Sequence, residues 1–100
     1  MNKKDAIKDL RTIKNIGAKV SEVLYLSGFR SAKEVLLKEP EEIWMQVEEH
    51  IGYEWIRKQS PWCAVYLQAL WCGQHNLPFG YAPDDIKQRF NTFKQQMYGK

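Results

Sequence analysis

Four side chains in this sequence could ligate a metal: His50, Cys63, Cys72 and His75. Zinc sites are usually built from two compact pairs of thiolate or imidazole ligands, each pair two to four residues apart. These four do not fall into two such pairs, so no metal site is expected. Each cysteine reads instead as a small core residue, and His75 as a cation at a helix end. Nine residues apart on one helix, Cys63 and Cys72 would lie about 13 Å apart, too far for a disulfide. Reduced thiols and a cytosolic setting follow as expectations.

A second cluster, Glu39, Glu41, Glu42, Glu48 and Glu49, raises the question of acid–base chemistry. Adjacent Glu41 and Glu42 point in different directions around a helix. No Ser-His-Asp or Cys-His order accompanies them, and no phosphate-cradling loop is followed by lysine. The cluster reads as a solvated acidic face, and no catalytic residue is expected.

The informative stretch is Ile13-Lys14-Asn15-Ile16-Gly17-Ala18-Lys19-Val20-Ser21. Ile13 and Ile16 would anchor a tight turn in the core. Asn15 and Gly17 are residue types that tolerate positive φ. Gly17 would let backbone approach a ligand with no side chain in the way. The free N–H groups of the following helix's first turn, those of Gly17 and Ala18 among them, would face an anion with the helix dipole behind them. Lys14 and Lys19 would add point charges for phosphate. The candidate binding residues are therefore Lys14, Asn15, Ile16, Gly17, Ala18 and Lys19. A second candidate surface is Tyr53 and Trp55 with Arg57 and Lys58, aromatic and basic residues in a polar stretch. Trp62 and Trp71, by contrast, read as core residues of an apolar helix.

This stretch resembles the helix-hairpin-helix motif, whose pattern is glycine, apolar, glycine, then a small residue after three more; Asn15, Ile16, Gly17 and Ser21 occupy those positions. The resemblance continues in Ser27-Gly28-Phe29-Arg30-Ser31-Ala32, in Pro40-Glu41-Glu42-Ile43-Trp44, and in the Cys- and Ala-rich run Cys63 to Gly73. Together these are similar to TfoX C-terminal domains and the related pathogenicity-locus helix-hairpin-helix family, from about Leu10 to Met97. The resemblance implies an all-helical domain built on a helix-hairpin-helix pair, and it brings no catalytic residues with it.

The elements that must position these residues are helical. Ile7 and Leu10 give one stripe over Lys4 to Arg11, and Thr12 to Gly17 form the turn. Val20, Val23, Leu24 and Leu26 describe a helix from Ala18 to Ser27, stopped by Gly28. Ser31 to Glu34 is a capping-box pattern for a short helix from Ala32 to about Leu37. Pro40, Glu41 and Glu42 open a helix that ends near Gly52. Ser60-Pro61 opens the most apolar segment, Trp62 to Gly73, which reads as the central buried helix. Pro78, Gly80 and Pro83 form a loop. Asp84 and Asp85 then start a last helix with Ile86, Phe90, Phe93 and Met97 on one face.

One hundred residues, 44% hydrophobic and 27% charged, fit one domain over residues 1–100. Net charge is only +3, but residues 1–20 hold six Lys/Arg against two Asp, whereas residues 38–60 hold three against six Glu. The basic excess lies where a phosphate-contacting surface would be sought. The opening MNKKDAIKDL has no apolar signal-peptide core, and no run of residues is apolar enough to span a membrane.

The sequence thus predicts a cytosolic, all-α bundle of about six helices with an N-terminal helix-hairpin-helix. It is expected to need no cofactor and to bind DNA or RNA backbone without sequence preference. The alternative is a protein-interaction module, in which the hairpin is structural and the acidic Glu41–Glu49 face docks a partner.

Overall fold

The computed structural model describes residues 2–52 and 63–98. Among them are six α-helices and no strand: α1 (Lys3–Leu10), α2 (Ala18–Leu26), α3 (Ala32–Leu36), α4 (Pro40–Ile51), α5 (Cys63–Gln74) and α6 (Asp84–Tyr98). The expected elements are present, with ends shifted by a residue or two. None of these helices is long and apolar enough to cross a membrane.

The ends have local causes. α1 starts a residue before the apolar stripe predicts because Asn2 caps it, Oδ1 accepting from Asp5 N–H at 2.9 Å. α2 and α5 close with the same device. Gly28 (φ +104°) and Asn76 (φ +57°) turn left-handed. The next amide then reaches back five residues, Phe29 N to Leu24 O at 3.0 Å and Leu77 N to Cys72 O at 2.7 Å.

The capping box of α3 is only half made. Ser31 Oγ accepts from Glu34 N–H at 3.4 Å, but the Glu34 carboxylate accepts from Arg30 N–H at 2.7 Å. Ala32 N–H donates to Asp9 Oδ2 at 2.7 Å, so a side chain of α1 caps α3.

α1 packs on α2 and α3, α2 on α4, α4 on α5, and α5 on α6. One buried cluster draws on all six helices. It includes Leu10, Leu24, Val35, Ile43, Trp44, Tyr66, Leu67, Leu70 and Phe90. Trp44 and Tyr66 meet edge to face, centroids 5.2 Å apart. The Tyr66 hydroxyl is buried and has no hydrogen-bond partner among the described residues, and burial pushes this phenol well above its usual value.

Trp71, expected in the core, is half-buried, and two residues of the apolar helix faces, Leu26 and Met97, are exposed. Leu26 lies two residues beyond Leu24, about 200° round the helix, and is 47% exposed. Met97 keeps the Phe90–Phe93 face but is also exposed, sharing a surface trough with Met45 instead of entering the core.

Candidate functional site

Residues 11–17 join α1 to α2 in a tight link that is anchored from below. Ile13 and Ile16 are both buried. Thr12 N–H donates to Asp9 O and Ile16 N–H to Ile13 O, at 3.0 and 3.2 Å. Ser21, at the small position, is fully buried, and its hydroxyl donates to Ala18 O at 2.9 Å. Lys14, Gly17, Ala18 and Lys19 are exposed around this anchor. Ile16 can therefore meet a ligand only through its backbone.

The first turn of α2 is left open. Its N-cap is Gly17, which offers no side-chain hydrogen bond, and the turn has no acidic residue. The first amide to find a partner is that of Ser21, donating to Gly17 O at 3.0 Å. The N–H groups of Ala18, Lys19 and Val20 have no acceptor among the described residues. α1 and α3, by contrast, carry Asn2 and Ser31 as side-chain caps. Lys19 places positive charge in a first turn where α1, α3, α4 and α6 carry acid, and exposed Lys14 lies three residues before the Gly17 cap.

Asn15 and Gly17 play different parts from those their types suggest. Asn15 adopts φ +73°. Gly17 is extended, at φ −95° and ψ −165°, a conformation open to any residue. A Cβ built on Gly17 would meet nothing within 4 Å. The fold does not require this glycine, and the space above it is empty.

The Asn15 side chain is not offered to a ligand. Its Nδ2 donates to Leu77 O at 3.0 Å and to Ala69 O at 3.4 Å, while Oδ1 accepts from Phe79 N–H at 3.1 Å. Asn15 is thus a clasp between the link and the loop after α5. The sequence carried one signal of this, a residue able to take positive φ with an amide that must be satisfied once half-buried.

Gly73 belongs to the apolar run of α5. Its missing side chain makes room for the link: a Cβ there would collide with Lys14 O and stand 2.9 Å from Ile13 Cγ2.

Positive charge continues along α1. At about 100° per residue, Lys3, Lys4, Lys8 and Arg11 share one face, Asp5 and Asp9 a second, and buried Ala6 and Leu10 the third. The cationic face lines a shallow trough of about 850 Å³ with Ile7 and Thr12. Lys3 is partly engaged, 4.0 Å from Glu22 and over the Tyr25 ring.

The acidic cluster is not one solvated face. Arg89 of α6 bridges two of its members, with Nη2 2.8 Å from Glu39 and 2.6 Å from Glu41, and Nε 2.6 Å from Glu41. Glu41, then Glu39, holds the guanidinium even further toward its charged form. Glu42, Glu48 and Glu49 line a separate trough of about 680 Å³ with Lys38, Met45, Gln46, His50 and Met97.

Among the described residues no three His, Cys, Asp or Glu side chains gather as a metal site. Cys72 is a buried free thiol. His75 stacks on half-buried Trp71, ring centroids 3.9 Å apart, and its Nδ1 lies 2.8 Å from Trp71 O. That carbonyl can only accept, so Nδ1 carries the proton. Tyr53, Trp55, Arg57, Lys58 and Trp62 lie outside the described residues, as does the side chain of Cys63.

No curated protein and no solved structure matches the chain. A family model does, over residues 3–66, a span that runs from the start of α1 into α5 and so contains the link, the open turn of α2 and the acidic helix. On that match the chain belongs to the Cdd1 pathogenicity-locus family.

Proposed function

We propose that this protein is a non-catalytic helix-hairpin-helix domain that holds DNA or RNA backbone without sequence preference. The observation that supports this best is the open first turn of α2. Three amides there lack an acceptor among the described residues, a Cβ on Gly17 would meet nothing within 4 Å, and Lys14 and Lys19, three residues before and two after Gly17, are both exposed. A phosphate group satisfies each of these at once, since it accepts from the amides and neutralises the lysines. Carboxylates would fit the amides equally well. A polyanion fits better, because the cationic face of α1 extends the positive surface beyond one charge.

The reading is tested by titrating a labelled oligonucleotide with the protein across a salt series. A hairpin alone makes two or three phosphate contacts, giving a slope of log affinity against log salt of about −2 to −3. The double variant Lys14→Glu/Lys19→Glu should abolish binding while melting and circular dichroism stay near wild type. Binding that survives the double reversal, or ignores salt, sinks the reading.

A second reading is favoured by the trough between α4 and α6. Met45 and Met97 are exposed there beside Glu42 and Glu49, a surface suited to a basic, apolar segment of a partner protein. Glu41 contributes little to it, being held by Arg89. On this reading charge reversal at Glu42 and Glu49 abolishes partner binding, and reversal at Lys14 and Lys19 does not.

A further inference from the structure

We propose that the turn Pro78–Tyr81 is a stacking platform for bases, which makes single-stranded nucleic acid the preferred ligand of the 14–19 hairpin; this rests on the reading that the hairpin takes phosphate. Nine aromatic residues lie among those whose burial is described, and seven are buried or half-buried. The two exposed ones, Phe79 at 50% and Tyr81 at 68%, are both in this turn.

The turn is built to hold its shape. Tyr81 N–H donates to Pro78 O at 3.3 Å, and Gly80 takes φ +96° at the third position, as such a turn requires. It is also fastened to the hairpin. Asn15, next to Lys14 and two residues before Gly17, accepts from Phe79 N–H and donates to Leu77 O. The turn that carries the rings is therefore tied by one side chain to the link, two residues before Gly17.

The chemistry separates single strand from duplex. Phosphates are presented by both, so amides and lysines do not distinguish them. The faces of bases are stacked away inside a duplex and free in a single strand. An aromatic ring gains by stacking on any base, whatever its sequence. A basic hairpin beside two exposed rings is thus a site for backbone and base together.

The test compares a fluorescein-labelled 20-nucleotide DNA strand of mixed sequence with the blunt duplex of that sequence, by anisotropy at low salt. The wild type should bind the strand about tenfold more tightly or better, within the range that stacking one base provides. Phe79→Ala/Tyr81→Ala should bring the strand down to the duplex affinity and leave the duplex affinity unmoved. Phe79→Leu/Tyr81→Leu, which keeps apolar bulk without a π-face, should behave as the alanine pair does.

Equal affinity of the wild type for strand and duplex overturns the platform alone. So does strand affinity that survives both pairs of substitutions. If the wild type binds neither ligand, or if Lys14→Glu/Lys19→Glu binds as wild type does, the hairpin reading falls and the platform with it.

Discussion

Gly73 passes so close beneath Lys14 that α5 and the 11–17 link are in backbone contact: a Cβ on Gly73 would collide with the Lys14 carbonyl oxygen. Gly73 is the next-to-last residue of α5, and the closeness of Lys14 is what its missing side chain accommodates. Gly73→Ala should destabilise by about 1–3 kcal/mol in urea unfolding, the usual range for overpacking. A gain in stability would show that the contact relaxes freely.

Gly17 should behave in the opposite way. Its backbone is extended and nothing lies within 4 Å of a Cβ, so Gly17→Val should cost no more than about 1 kcal/mol, the N-cap preference for glycine over valine. Oligonucleotide affinity should nevertheless fall, because the isopropyl group fills the approach to the amides of α2. A valine variant that unfolds readily would mean that the link depends on glycine after all.

Asn15 combines two contributions that substitutions can separate. Asn15→Gly keeps φ +73° without steric cost but removes the hydrogen bonds to Ala69, Leu77 and Phe79. A loss of about 1–2 kcal/mol is expected in thermal or urea unfolding. Asn15→Ala should lose about 1 kcal/mol more, the cost of a left-handed conformation for an ordinary side chain. Equal stability of the two variants would show that the backbone conformation contributes nothing.

Tyr66 gives a pH dependence. Its phenol is raised by burial, so above the ordinary value of about 10 the unfolded chain ionises and the folded one does not. The unfolded state then binds fewer protons, and stability falls as pH rises, by up to about 1.4 kcal/mol per pH unit for this group. Tyr66→Phe removes that dependence. It should also be at least as stable as wild type at neutral pH, because the buried hydroxyl has no partner among the described residues. Parallel unfolding curves for the two proteins between pH 9 and 11 would contradict this.

The helices were legible from sequence because their signals are local: Pro40 ahead of two glutamates, Gly28 after an apolar stripe, Asp84 and Asp85 ahead of Ile86 and Phe90. The two isoleucines that anchor the link were legible for the same reason, flanking as they do exposed Lys14 and the turn residue Asn15. The parts that escaped all depend on distant partners. Asn15 reaches residues 54 to 64 positions away. Arg89 takes Glu39 and Glu41 out of an apparent acidic face across 48 to 50 positions, and Gly73 matters only because Lys14 crosses it. No period or spacing within a single helix carries that information.

The sorting of charge around α1 gives the molecule a direction of approach. Cations occupy one face, carboxylates another, and the core the third, so the field outside α1 is lopsided rather than merely positive. A highly charged chain in solution feels that field at separations of about a Debye length, some 8–10 Å in ordinary buffers. If the protein binds nucleic acid as proposed, that field would turn the α1 face toward it before contact. Encounter would then favour orientations that bring Lys4, Lys8 and Arg11 in first, and salt would act on how fast the two meet as well as on how long they stay together.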